Sequence, residues 1–450
     1  MGKDRFLDHG KDRELQRTYR GRAAGDDRPD EGPREGPETA VVVGSYPRAA
    51  EAAASLAEMV ELLRTARVDV VETMVQQRDA PDPRTFLGKG KLDELRGRVE
   101  ALRPDVVAVD HELSPGQQRQ LEDRLKTRVV DRTAVILDIF ALHATTAEGK
   151  LQVELAQLEY SYSRQEGLWQ HLERLGGGVG TRGPGESQLE SDRRLVRNRM
   201  GVLRRRLRDV ARSRGVMRQG RGESGVPRVA LAGYTNAGKS SLMNALSGAG
   251  VSVNDALFET LDATTRAIEF QGFRLLLSDT VGFISGLPHQ LVDAFRSTLD
   301  EAREADLILH VADASEPETR RLEQASTVDD VLEEIGAGEV PRLFVLNKID
   351  AVDADTRREL AGRHPDALRV SAITGEGLDA LRERLADVAR AAMTHIDVIV
   401  PWQDGATLSA IYSQGRDVRH TETREGVRVT ALMPAPAAAR LRAGVRGAGA

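Results

Sequence analysis

The stretch RVALAGYTNAGKSSLMNALSG (228–248) limits what this chain can fold into more than any other part of it. Small and branched apolar residues up to Gly233 predict a short buried strand, and the residues from Lys239 onward predict a helix. A strand that feeds straight into a helix belongs in an α/β layer structure with a largely parallel sheet. The connection between them, Gly233-Tyr234-Thr235-Asn236-Ala237-Gly238-Lys239-Ser240, has the spacing G-x-x-x-x-G-K-S in the strand–loop–helix setting that this motif requires. Its glycines let the backbone wrap so that N–H groups converge, and the helix N-terminus adds positive potential. Such a loop suits phosphates. Lys239 would reach the β- and γ-phosphates of a nucleotide, and the Ser240 hydroxyl would bind Mg²⁺.

Four further motifs follow in order. LLLSDTVG (275–282) is an apolar strand ending in Asp279, Thr280, Val281 and Gly282. Its carboxylate would stand beside the Mg²⁺, through a water, and Gly282 would give a backbone N–H to the γ-phosphate. Phe258, Glu259, Thr260, Leu261 and Asp262 occupy a loop of suitable length for a first switch, with Thr260 the choice for a second hydroxyl on Mg²⁺ and Thr264 and Thr265 its rivals. RLFVLNKID (342–350) ends in Asn347, Lys348, Ile349 and Asp350. The Asp350 carboxylate can accept from N1–H and the 2-amino group of guanine, whereas adenine offers neither donor, so GTP is favoured over ATP. Lys348 would lie over the base. Ser371, Ala372 and Ile373, after the strand LRV, suit backbone recognition of the guanine O6. Residues 226–390 are therefore predicted as a GTP-binding domain, with Lys239, Thr260 and Gly282 as its candidate catalytic groups.

One position departs from the usual pattern. A glutamine commonly follows D-x-x-G and orients the attacking water. Here Phe283 follows, and a phenyl ring cannot do this by hydrogen bonding. Intrinsic hydrolysis is expected to be slow and stimulated by a partner; Arg266 is a candidate for a cationic group acting in cis.

A second glycine-rich string, GVGTRG (178–183), reads G-x-G-x-x-G. A dinucleotide loop of that form must follow a strand. This one follows a helix, on which Leu151, Leu155, Leu158, Tyr162, Trp169, Leu172 and Leu175 keep a 4-3 spacing, with Gln165 at the one polar position. Val196, Met200, Leu203, Leu207 and Val210 repeat that spacing beyond it. Two such helices joined by a short breaker-rich loop predict an antiparallel hairpin over 146–225. Its second helix and linker, 193–221, carry many arginines and one acid, Asp209. Salt-bridge lacing cannot explain that imbalance, and with Arg182 at the tip it suits a structured RNA read through phosphates and shape.

The flanks are plainer. Residues 1–38 are charged and rich in Gly and Pro and read as a disordered tail. Strand-like runs at 40–44, 68–75 and 105–110 alternate with helical stretches at 51–66 and 91–103, which predicts an N-terminal α/β domain over 39–145. Residues 391–450 suggest a small α+β appendage: a strand at 396–402, a helix near 405–414, then two strands within 417–434. With no cysteine, no apolar run near the ~18 residues that cross a bilayer and no apolar signal core after Met1, the expectation is a cytoplasmic protein without disulfides or membrane insertion. The net charge of −6 argues against nucleic-acid binding over the whole surface but leaves room for a local basic patch. His111, His143, His171 and His310 are scattered and are expected in core or surface positions, not as ligands.

The chain resembles the HflX family of translational GTPases over about residues 40–390. The resemblance is carried by LGKGKLDEL (87–95), DRTAVILDIFALHATTAEGKLQVELAQLEY (131–160), GGGVGTRGPGESQLE (176–190), GYTNAGKSSLMNAL (233–246), FETLDATTR (258–266), DTVGFISGLPHQLVDAFRSTLDE (279–301) and NKID. It implies a GTPase that binds the large ribosomal subunit near its peptidyl transferase centre and splits ribosomes, notably under heat or antibiotic stress. It implies also that the helical arm reaches ribosomal RNA, that a hydrophobic residue replaces the glutamine, as Phe283 does, and that nucleotide roles fall on the five motifs above. A role in large-subunit assembly and a regulatory switch whose arm binds a protein stay open at this point; a monomer is the expected state.

Overall fold

The structure, a computed structural model, describes residues 36–175, 184–222, 225–248, 257–258, 264–286, 291 and 296–447; within these, the side chains at 50, 165–175, 184–192, 213–222, 296–298 and 443–447 are left undescribed. The tail expected before Gly36 and the hairpin tip with Arg182 lie outside the described residues. The chain divides into two units, Met1–Leu142 with Gln157–Arg193, and His143–Ala156 with Arg194–Ala450. No helix among the described residues is long and apolar enough to cross a membrane.

The first unit is built on four parallel strands, β1 (Glu38–Tyr46), β2 (Val68–Gln77), β3 (Val106–Val109) and β4 (Arg128–Asp131), in the order β2-β1-β3-β4. Helices α1 (Ala49–Thr65), α2 (Lys89–Leu102), α3 (Pro115–Leu125) and α4 (Arg132–His143) connect and follow them. The central strands β1 and β3 are apolar runs buried on both faces, while edge strand β2 alternates half-buried and exposed positions, with Met74 buried and Val71 exposed. Helix α3 starts where it does because Ser114 and Gln117 close a capping box ahead of Pro115.

The strand ends of this sheet are occupied by the unit's own side chains. Asp110, after β3, accepts from the Tyr46 hydroxyl and from Ser55 Oγ at 2.6 Å, and pairs with Arg132 at 2.7 Å; Arg132 also reaches Glu58. Asp131, ending β4, accepts from Tyr160 Oη at 2.7 Å and pairs with Arg164, whose guanidinium lies 3.5 Å from the Tyr160 ring centre. Those last two residues belong to α5 (Ala147–Leu175), so the first arm helix is anchored at the sheet's C-terminal edge.

The second arm helix is α6 (Pro184–Gly222). Glu154 pairs with Arg199 at 2.7 Å, and Arg193 stands 5.3 Å from the Tyr162 ring centre. As one partner advances the other retreats, so the helices run antiparallel. Along α6 the residues at the expected 4-3 spacing, Val196, Met200, Leu203, Leu207 and Val210, are buried or half-buried. Arg194, Arg197, Arg204, Arg205, Arg206, Arg208 and Arg212 are exposed.

The second unit holds a six-stranded sheet. Strand β5 (Arg228–Gly233) leads into α7 (Lys239–Ser247), then come β6 (Thr264–Phe270), β7 (Phe273–Asp279), α8 (Arg296–Arg303), β8 (Leu307–Asp313), α9 (Glu318–Glu334), β9 (Arg342–Asn347), α10 (Ala354–Arg363), β10 (Leu368–Arg369) and α11 (Leu378–Ala391). The order is β10-β9-β8-β5-β7-β6, parallel except for β6 against β7. Chain order reverses about β5, which is where ligands bind in open α/β sheets. The appendage holds β11 (Met393–Val400), α12 (Gly405–Gln414), β12 (Arg416–Glu422), β13 (Val427–Pro434) and α13 (Ala435–Gly447), its sheet antiparallel in the order β11-β13-β12. Helix α13 was not foreseen in the sequence; its Ala437 and Ala438 are buried with Ile396, Ile411 and Val429 in the appendage's core.

Candidate functional site

Of the polar residues foreseen in the sequence, Asp279 and Asn347 end strands and Lys239, Ser240, Lys348, Asp350 and Ser371 follow strand ends, so these gather at the C-terminal edge of the six-stranded sheet. Gly233 closes β5 against β8 so tightly that a Cβ would stand 2.2 Å from the Val311 carbonyl oxygen. Gly238 takes φ +85°, and a Cβ there would meet Asn347 Nδ2 at 2.3 Å, so only glycine fits. It caps α7 with no side chain, which leaves the first N–H groups of that helix facing the loop.

Lys239 is buried and its Nζ donates to the carbonyls of Gly233 (3.1 Å) and Tyr234 (2.9 Å). Burial pushes its ammonium down to about 8, against the pull of Asp279. Ser240 Oγ donates to Asp279 Oδ2 at 2.7 Å. A hydroxyl and a carboxylate that already converge at a helix N-terminus are the donor set a hard divalent cation takes beside phosphates. Among the described residues no cluster of three or more His, Asp or Glu offers another metal site, and buried His310, pushed down to about 4 by burial, and half-buried His111 sit against aromatic rings.

The base-recognition residues are held by one side chain. Asn347, buried, donates from Nδ2 to the Ala237 carbonyl at 3.0 Å and accepts on Oδ1 from the Ala372 N–H at 3.1 Å, tying the phosphate loop to the loop after β10. Lys348, at φ +61°, pairs with Asp313 Oδ2 at 2.8 Å. Asp350 is exposed in the short turn Ile349–Ala351, its carboxylate open to a ligand. Ser371 is buried and accepts from the Thr374 N–H at 3.0 Å, whereas Ile373 points out, 82% exposed.

Phe283 is wholly buried. Its N–H donates to the Gly233 carbonyl at 3.1 Å, its carbonyl accepts from the Thr235 N–H at 2.7 Å, and the Ser285 N–H donates to Tyr234 Oη at 2.8 Å. The segment after D-x-x-G is thereby paired to the phosphate loop as a short parallel bridge. Thr280 Oγ1 donates to the Leu231 carbonyl at 2.7 Å, and the buried Val281 precedes Gly282 at the loop.

Two expectations about the first switch change. Arg266 is not aimed at phosphates: its guanidinium donates to Asn244 Oδ1 (3.2 Å) and Ser247 Oγ (2.7 Å). Those residues are five and eight positions along α7 from Lys239, roughly 8–12 Å up the helix axis. The rival Thr265 spends its hydroxyl on Ser278 at 2.9 Å, in the β6–β7 pair. Glu259, Thr260, Leu261 and Asp262 lie outside the described residues; Phe258 is buried at φ +59°.

Sequence reasoning missed Asp313. It ends β8, LILHVAD, a strand buried at every position, and that apolar run terminating in an acid was the available signal.

Comparisons with known proteins agree along the chain. Family models described as GTP-binding GTPase N-terminal, GTP-binding GTPase Middle Region, 50S ribosome-binding GTPase and HflX C-terminal domain match residues 53–141, 143–221, 228–348 and 358–442. A protein of Lacrimispora saccharolytica named GTPase HflX is 46% identical over 85% of this chain and 90% of its own length. The Escherichia coli protein of that name is 45% identical over 83% and 88%. Among solved structures, a GTP-binding protein from Sulfolobus solfataricus in complex with GDP is 26% identical, covers 78% of this chain and 98% of its own, and gives a TM-score of 0.40. A phosphate loop on the central strand of a GTPase fold and relatives at this identity over most of the chain give one result: the chain belongs to the HflX family and is a GTP-hydrolysing enzyme.

Proposed function

We propose that this protein is a GTP-driven switch that binds the large ribosomal subunit and splits or rescues stalled ribosomes under stress. The observation that carries this reading is the arm: α6 exposes arginine after arginine over a stretch with one acid, on the same chain as the phosphate loop. The family model described as a 50S ribosome-binding GTPase, matched at 228–348, supports the choice of partner. The hairpin tip, including Arg182, would meet ribosomal RNA, and the basic helix 193–221 would follow its phosphates. The protein would act as a monomer in the cytoplasm.

In the nucleotide site, the backbone of Gly233, Tyr234, Thr235, Asn236, Ala237 and Gly238 would cradle the phosphates, with Lys239 moving from the loop carbonyls onto the β- and γ-oxygens. Ser240 and Thr260 would ligate Mg²⁺, and Asp279 would hold it through a water. The chemistry Mg²⁺ would supply there is neutralisation of the charge developing on the phosphates. Gly282 would donate its N–H to the γ-phosphate, which requires the Phe283 bridge to loosen. Phe258, Glu259, Leu261 and Asp262 would complete the first switch. Asp350 would select guanine, with Lys348 over the base, Asn347 holding the loops together and Ser371, Ala372 and Ile373 bordering O6.

With no amide after Gly282, hydrolysis should be slow alone. GTP hydrolysis by the full chain, with and without purified large subunits, tests this, alongside a variant with residues 177–185 replaced by a short neutral linker. Strong acceleration that the tip replacement abolishes supports the reading. Equal rates with and without subunits would sink it and favour an arm that binds a protein.

A further inference from the structure

The wholly buried Phe283 side chain bears no polar atom, so water beside the γ-phosphate must be oriented by another group. Among the described residues the hydroxyls around the loop are mostly committed. Ser240 Oγ bonds Asp279, Thr280 Oγ1 bonds the Leu231 carbonyl, Ser278 Oγ bonds Thr265, and Tyr234 Oη accepts from Ser285. Thr235 differs. The residue is 7% exposed and its Oγ1, fully buried, meets no hydrogen-bond partner. Folded proteins rarely leave a buried hydroxyl unpaired, and a group kept so invites a ligand atom.

Its surroundings say which atom. Thr235 Cγ2 lies 2.9 Å, Thr235 Cα 3.0 Å and Lys239 Nζ 3.1 Å from the point where a Cβ on Gly282 would stand. Thr235, Lys239 and Gly282 thus surround one small volume. Two of the three are the groups that a G-x-x-x-x-G-K-S loop and a D-x-x-G turn direct at a γ-phosphate.

We propose that the Thr235 hydroxyl orients the attacking water, accepting a hydrogen bond from it and donating to a γ-phosphate oxygen. A hydroxyl has one donor and two acceptor sites and serves both contacts. In the step itself the water oxygen forms a bond to the γ-phosphorus and the bond from that phosphorus to the β–γ bridging oxygen breaks. The electron pair leaves with GDP, and the water's proton ends on the released phosphate. Thr235 is neither oxidised nor deprotonated. The proposal rests on residues 233–240 being the triphosphate loop and is independent of the ribosome.

Full-length Thr235→Val and Thr235→Ser test it, by single-turnover GTP hydrolysis and by GDP and GTP affinities from fluorescent nucleotides. Valine keeps the methyl and removes the hydroxyl. The expected result is a rate about 10²-fold lower in T235V, with GDP affinity within about threefold of the parent, GTP affinity about tenfold lower for the lost hydrogen bond to the γ-phosphate and melting no lower, and T235S within about threefold of the parent rate. A T235V rate equal to the parent's, or loss of rate in both variants together with GDP affinity, would overturn it. A parent protein that binds no GDP would overturn the loop reading itself.

Discussion

The nucleotide end of the sheet and the outer face of α6 handle charge in opposite ways. At the nucleotide end most charged and polar groups are held by a neighbour: Lys239 by two carbonyls, Lys348 by Asp313, Ser240 by Asp279, Asn347 by two loops; Asp350 stands exposed. Those held groups lie close to where a small ligand would meet them, so little side-chain freedom is left to order. On α6 Arg194, Arg197, Arg204, Arg205, Arg206, Arg208 and Arg212 are exposed, and Asp209 meets Arg212 at 3.9 Å with both side chains in water. Exposed pairs of that kind contribute little. A site of the first kind should fail sharply when one atom is removed and be nearly blind to salt. A surface of the second kind should fail gradually and depend steeply on salt.

The largest expected effect belongs to Lys239. Lys239→Met should weaken GDP and GTP binding by roughly 10²-fold or more, the scale for removing one partner of a buried charged pair. The same change should raise the melting temperature of the nucleotide-free protein. Holding the ammonium at about 8 instead of 10.5 penalises its charged form by roughly 3 kcal/mol. Calorimetry with and without GDP reads both. A variant that loses stability and affinity together would show that the loop depends on the lysine for its shape.

Next in size is Phe283→Gln, which restores the amide that other GTPases use. Because the side chain is wholly buried, the amide would lose water without gaining partners, costing about 2 kcal/mol in stability. The hydrolysis rate should stay within about threefold of the parent. A faster, equally stable variant would mean that the segment swings outward freely and that its bridge to Tyr234 and Thr235 matters little.

The arm is tested by changing Arg204, Arg205, Arg206 and Arg208 to Gln. Binding to large ribosomal subunits should weaken about tenfold or more at 0.15 M salt, with the logarithmic salt slope falling by about one for each phosphate no longer neutralised. GDP affinity should not move. Unchanged binding at every salt concentration would assign these arginines to plain solvation, and the contrast between the two regions would collapse.

How far each region was legible follows from the same contrast. The motifs could be read because each carries its chemistry within a few residues, and strand ends deliver four of the five, all but the first switch, to one edge. The heptad spacing of α6 was legible because burial on a two-helix arm has one period. What escaped was pairing across the fold. Arg266 looked well placed beside the first switch, yet antiparallel pairing of β6 on β7 carries it to the far end of α7. Asp313 becomes a partner of Lys348 only because β8 lies next to β9. Helix α13, APAAARLRAGVRG, went unseen because its Pro and Gly residues and small side chains give a weak signal, and its alanines are core only against a sheet formed earlier in the chain.

The smallest expected effect separates the regions by pH alone. In the free protein Lys239 titrates at about 8, and phosphates beside it favour the ammonium, so binding raises its pKa. Affinity is then full below pH 8 and falls as pH rises through it, by about tenfold between pH 7 and 9 for a single group. Stability moves the other way. The folded pKa lies below the unfolded value of 10.5, so the penalty is complete below pH 8 and is relieved between pH 8 and 10.5. Titration calorimetry with GDP in two buffers of different ionisation enthalpy should show uptake of nearly one proton at pH 9 and almost none at pH 7. The arginines of α6 stay charged throughout, so large-subunit binding at fixed salt should be flat over the same range. If GDP binding is equally flat, the buried lysine is not what the phosphates meet, and the sharp, salt-blind half of the comparison loses its physical basis.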